Sequence, residues 1–108
     1  MININGEEWN ILAVPPNNEK LYRRDGSLSV AACDDADKII YINCLLKGNF
    51  LKKVICHEIT HAAMFSYDVN LTIDQEELIA DIIATYGDEI IYITNQALKE
   101  IKNSPLYD

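Results

Sequence analysis

The residues of this chain best placed to do chemistry are His57-Glu58-Ile59-Thr60-His61, set in an apolar stretch from Phe50 to Phe65. On a helix, positions four apart share a face about 6 Å apart along the axis, so the two imidazoles can close on one metal ion. Glu58 points elsewhere on the helix. There it can reach a water in an open coordination position and act as general base rather than as a ligand. The chain holds only 2 histidines, and both fall in this pentad. The flanking Val54, Ile55, Ile59, Ala62, Ala63 and Phe65 mark a buried helix, and buried imidazoles need partners.

A site with two histidines and an open position needs a third ligand, and without another histidine it must come from Asp, Glu or Cys. Glu76, Glu77 and Asp81 are offered by the next helical stretch. If the first helix ends near Tyr67 and the second starts after Thr72, the short loop makes them antiparallel neighbours, and levels can be counted back from it. His61 lies about six residues, roughly 9 Å, from the end of the first helix, and Glu77 about five residues, roughly 7.5 Å, into the second. Four residues deeper on each, His57 and Asp81 also share a level. Glu77 is therefore the expected third ligand, with Asp81 accepting the free ring N–H of His57. Glu76 is the competing choice, about 100° round the helix with Ala80 one turn on. A charged first turn that complements the helix dipole also accounts for Asp74, Gln75 and Glu76, but not for Asp81 amid Ala80, Ile82 and Ile83. Two imidazoles and one carboxylate make zinc the expected metal.

The elements that must hold these residues are legible in order. Residues 8–14 read as a strand with Trp9, Ile11 and Ala13 on one face, stopped by Pro15-Pro16. Asn17 or Asn18 caps a short helical turn through Tyr22, a connector that Asp25-Gly26 breaks. Residues 27–33 alternate with Leu28, Val30 and Ala32 on one side, and 38–43 alternate again. Asp34-Asp35-Ala36-Asp37 between them is turn chemistry rather than a calcium loop, so the pair reads as a β-hairpin. Gly48-Asn49 offers an N-cap for a helix from Phe50 to about Tyr67. Thr72 and Gln75 then form a capping box for a helix whose apolar stripe runs through Ile82, Ile90 and Leu98 to about Lys102. Strands first and helices after predict a single α+β domain over 1–108, with a sheet of about three strands packed on the motif helix and the long helix after it.

Composition bounds the partners. With 49% hydrophobic residues in 108, the chain can bury a core without disulfides. Cys33, Cys44 and Cys56 are an odd number with no metal-ribbon spacing, and they read as reduced thiols, Cys56 turned about 100° from His57. A net charge of −8 with no basic cluster beyond Arg23-Arg24 and Lys52-Lys53 disfavours nucleic acid. No apolar run approaches the roughly 18 residues of a membrane span, and the first residues have no signal-peptide pattern, so a cytoplasmic protein with no membrane partner is expected.

The pentad followed by Glu77-Leu78-Ile79-Ala80-Asp81 resembles the glutamate-zincin metallopeptidases, in which a Glu and an Asp four residues later complete the site. Together with Ile39-Ile40-Tyr41-Ile42-Asn43 and Cys56 to Ala62, it looks like the small ImmA/IrrE-type proteins of phages and mobile elements, over about residues 26–95. The resemblance implies a minimal zincin-like fold, with His57, His61 and Glu77 as zinc ligands, Glu58 as base and Asp81 behind the ligands. It also calls for a donor to the oxyanion. With no histidine left for that, Tyr67, Tyr86 and Tyr92 are candidates, and Tyr67 is nearest the motif. The chain departs from the family in its short loop to the Glu and in lacking a lower subdomain. The expected function is zinc-dependent hydrolysis of a peptide or protein substrate. The alternative is a catalytically silent zinc-binding regulatory or interaction module.

Overall fold

A computed structural model describes residues 1–107. It is an α+β structure of four strands and two helices: β1 (Ile2–Ile4), β2 (Glu7–Val14), a 3₁₀ turn over Glu19–Leu21, β3 (Ala31–Asp34), β4 (Ile39–Asn43), α1 (Gly48–Ser66) and α2 (Ile73–Lys102). The sheet has the order β1-β2-β4-β3; β2 and β4 run parallel and the other pairs antiparallel.

The fourth strand, β1, was not expected from the sequence. It folds back on β2 through Asn5-Gly6, both at positive φ (50° and 82°), which is the two-residue turn that favours a hairpin. The β3–β4 hairpin has the expected turn, but β3 begins only at Ala31 and its inward face is opposite in phase to the alternation of Leu28, Val30 and Ala32. Ala31 is buried, while Leu28 and Val30 are exposed. The reason lies in the preceding segment, whose residues 27–29 pair with Leu21 to Arg23 instead of β4: Arg23 N–H donates to Ser27 O at 2.8 Å and Ser29 N–H to Leu21 O at 2.8 Å.

The main core lies between the sheet and α1. Trp9, Ala31, Ile40 and Ile42 face Val54 and Ala62, with Ile55 and Ile59 packed at the margin. Trp9 is fully buried, and its indole N–H donates to Ser66 Oγ at 2.9 Å, which pins the end of α1 to β2. A smaller cluster on the other face joins Val14, Tyr41 and Leu21. The 3₁₀ turn is thus more than a connector, because it buries Leu21 completely. Ala13, expected beside Trp9 and Ile11, is exposed; Val14 is buried on the opposite face instead.

α1 is entered through Gly48 at φ 62° with no side-chain cap, whereas α2 has the full capping box of Thr72 and Gln75. α2 packs against α1 through small residues: Ala80 is fully buried, and Ala84 and Gly87 are half-buried. No helix among the described residues is long and apolar enough to cross a membrane.

Candidate metal centre

Two facing turns of α1 and α2 carry the centre. His57, Glu58 and His61 come from the middle of α1, and Glu76, Glu77 and Asp81 from the first turns of α2, where the Thr72 cap fixes the start of the helix. The structure brings His57, His61 and Glu77 together, one ligand atom of each lying within 4.8 Å of the others. The two Nε2 atoms are 3.1 Å apart; Glu77 Oε1 lies 2.8 Å from His61 Nε2, and its Oε2 lies 3.3 Å from His57 Nε2.

The other ring nitrogens are also engaged. His57 Nδ1 meets Asp81 Oδ1 at 3.0 Å, and His61 Nδ1 meets Glu76 Oε1 at 2.6 Å. An ionised carboxylate only accepts, so each Nδ1 carries the proton and each Nε2 presents a lone pair. Two lone pairs and a carboxylate then converge on one point, an arrangement that repels itself unless a cation or extra protons sit there. Donors about 2.0–2.1 Å from a tetrahedral zinc stand about 3.3 Å from one another. The observed spacings, 2.8 and 3.3 Å to the two different oxygens of Glu77 and 3.1 Å between the nitrogens, are at or somewhat below that value, so the three side chains are near enough to share one ion.

Glu76, the competing ligand by sequence, is turned to the outer nitrogen of His61, while its neighbour Glu77 faces the inner ones. The sequence carries a signal for this: an imidazole that ligates through one nitrogen needs a partner on the other, and Asp81 supplies only one of the two.

Glu58 sits half-buried beside the donors. Burial pushes its pKa up, against the pull of His61 and His57, and Glu77 pushes the same way as burial. For His61, burial alone would lower the pKa, but the Glu76 hydrogen bond and the fields of Glu77 and Glu58 outweigh it and the net shift is upward. Only the shift of His61 reports acidic surroundings; that of Glu58 is set by burial.

The donors border a cleft of about 460 Å³ between the helices and β3, whose far wall includes Tyr22, Arg23 and Ser29. A second cavity of about 350 Å³ shares His57, Glu58, Glu77 and Arg23 with the first and continues past Val30 toward Phe50 and Val54. The two make one groove across the centre. Tyr67 is not brought to it: it lies at the C-cap of α1, exposed, and lines neither cavity. Tyr86 and Tyr92 line neither cavity as well, and Tyr22 is the tyrosine on the cleft. Tyr22 and Arg23 belong to the connecting segment, where no periodicity marks a residue for function. Cys33 also lines the cleft, and burial, followed by Asp35, pushes its thiol pKa far up, so it stays protonated. No family profile, curated protein or solved structure matches the chain.

Proposed function

We propose that this protein is a zinc-dependent hydrolase of peptide bonds, of the glutamate-zincin kind its motif resembles. The observation that carries the reading is the convergence of His57 Nε2, His61 Nε2 and a Glu77 carboxylate oxygen, with both outer imidazole nitrogens held by Asp81 and Glu76. His57, His61 and Glu77 would hold the ion. When bound, zinc supplies Lewis acidity, which acidifies water and polarises a carbonyl.

The remaining work falls to the chain. Glu58 borders the groove with a raised pKa, which makes its carboxylate a stronger base than an exposed glutamate. It takes a proton from water as the water oxygen adds to the scissile carbonyl carbon. It returns that proton to the amine nitrogen as the C–N bond breaks, so acid and amine leave and Glu58 is ionised again. Tyr22 and Arg23 are the donors on the opposite wall available to a developing oxyanion.

The substrate is an extended peptide lying along β3, one of the two edge strands of the sheet. Asn43 N–H donates to Val30 O, so the alternation of an antiparallel ladder turns the backbone of Ala31 and Cys33 outward. A peptide pairing there passes the centre with main-chain bonds and little demand on its sequence.

A second reading is a zinc-binding module without turnover, favoured by the position of Tyr67 away from the groove. One experiment separates the readings. Metal content is measured on the purified chain, and peptide cleavage is compared for wild type and Glu58→Gln. Zinc with Glu58-dependent cleavage establishes the hydrolase; zinc with none leaves the silent module; no zinc after reconstitution ends both.

A further inference from the structure

The far half of α2 runs beyond the rest of the chain. Every residue from Glu89 to Asn103 is exposed, including Ile90 (52%), Ile91 (62%), Ile93 (52%), Leu98 (46%) and Ile101 (48%). The effect is visible in whole-molecule quantities. The radius of gyration is 17.1 Å, against about 13 Å for a compact domain of this length. Accessible surface is 7946 Å², and a compact monomer of 12.2 kDa exposes roughly 1,900 Å² less. A stable interface takes about 800 Å² from each partner, so the surplus is more than enough for one.

The stripe that α1 covers does not stop where α1 does. Ala80, Ala84 and Gly87 lie against α1, and counting 3.6 residues per turn carries the same side of α2 on to Ile91 and Leu98. The adjoining side carries Ile90 and Ile101. A helix laid along this stretch would continue the layer that α1 begins.

The charges identify that helix. Asp88 and Glu89 stand at one end of the overhang and Lys99, Glu100 and Lys102 at the other, with no charged residue from Ile90 to Leu98; Glu89 and Glu100 fall on the side away from Ile91, which leaves Asp88 against Lys99 and Lys102 on the side it shares. Asp88 and Lys99, separated by about three turns, lie on the same flank. Such a layout is self-complementary under two-fold rotation: antiparallel alignment sets acidic end against basic end twice, whereas parallel alignment sets like against like. Asp88 already attracts one cation on this flank, Lys52 of α1 at 2.5 Å.

We infer that the chain forms a two-fold dimer in which the overhanging halves of α2 from two copies pack antiparallel, Ile91 and Leu98 at the centre and Asp88 facing Lys99 and Lys102 of the second copy. The metal centres, near the opposite end of α2, stay open at the two ends of the assembly.

The test is the solution mass of the full chain by sedimentation equilibrium across the micromolar range. The expected mass is twice 12.2 kDa. Ile91→Asp with Leu98→Asp should give the single-chain mass, with helicity by circular dichroism showing whether the fold is kept. Two gentler variants guard against unfolding. Asp88→Lys, and separately Lys99→Glu with Lys102→Glu, should each be monomeric alone and associate one to one when mixed. A wild-type chain that stays at 12.2 kDa at the highest concentration overturns the proposal and leaves the face to a different protein. So does a dimer indifferent to both charge reversals.

Discussion

Glu76 Oε1 lies 2.6 Å from His61 Nδ1, on the side of the ring away from the three converging donors. A carboxylate there fixes which nitrogen is protonated and leaves the other free to ligate. Asp81 does the same for His57 at 3.0 Å.

Removing either carboxylate should therefore weaken zinc while leaving the three ligands in place. Glu76→Ala and Asp81→Ala are each expected to lower affinity by about ten- to a hundredfold. Glu77→Ala, which removes a ligand, should lose more than either. Competition titration against a chelator of known affinity reads all three; an affinity for Glu76→Ala equal to wild type would show that His61 is oriented by something else.

Glu58→Gln keeps the size of the side chain and removes its basicity. Metal content and melting temperature should stay close to wild type, and peptide cleavage should disappear. Cleavage that persists would mean the proton is taken by another group.

The metal-free chain should lose stability as the solution becomes alkaline. His61 has a folded-state pKa above its ordinary 6.5, so its contribution is complete below that value and is lost as pH rises through the raised one. Glu58, raised from 4.5, acts with the same sign at lower pH, its contribution fading as pH rises through its own raised value. Thermal melts in chelator from mildly acidic to alkaline pH give the slope. His61→Gln should flatten its upper part, and an unchanged profile would contradict the assignment.

Ser66→Ala should destabilise the fold by about 1–3 kcal/mol, because it leaves the buried indole N–H of Trp9 without its acceptor. The midpoint of a denaturant titration measures it. A midpoint equal to wild type would mean that the indole finds another partner.

The parts of this molecule that announce themselves in sequence are those governed by local rules. Thr72 and Gln75 make a capping box whatever surrounds them, and that box sets the rotation and level of Glu76, Glu77 and Asp81 on α2. Counting levels from a short loop then suffices to put Glu77 opposite His61. Non-local choices were not legible. Ser27 to Val30 alternate like a strand, but up to Ser29 the partner they take is the segment from Leu21 to Arg23, where Leu21 is buried beside Tyr41. Tyr22 and Arg23 reach the cleft for the same reason: a buried leucine next to them holds their segment against the sheet. β1 is a different case, since Asn5-Gly6 carried the hairpin signal with only a three-residue strand before it.

The donor set is confined to one helical hairpin, residues 57–81, whereas the sheet requires β2 to find β4 in parallel with β3 inserted between them in sequence. Closing a short loop between two helices is faster than pairing distant strands. On that ground the six site residues are expected to meet while the sheet is still open, and an ion bound at that stage would hold α1 and α2 together as β2, β3 and β4 assemble against them. Refolding in the presence of zinc should accordingly outpace refolding in chelator; equal rates would mean that the two helices come together without an ion.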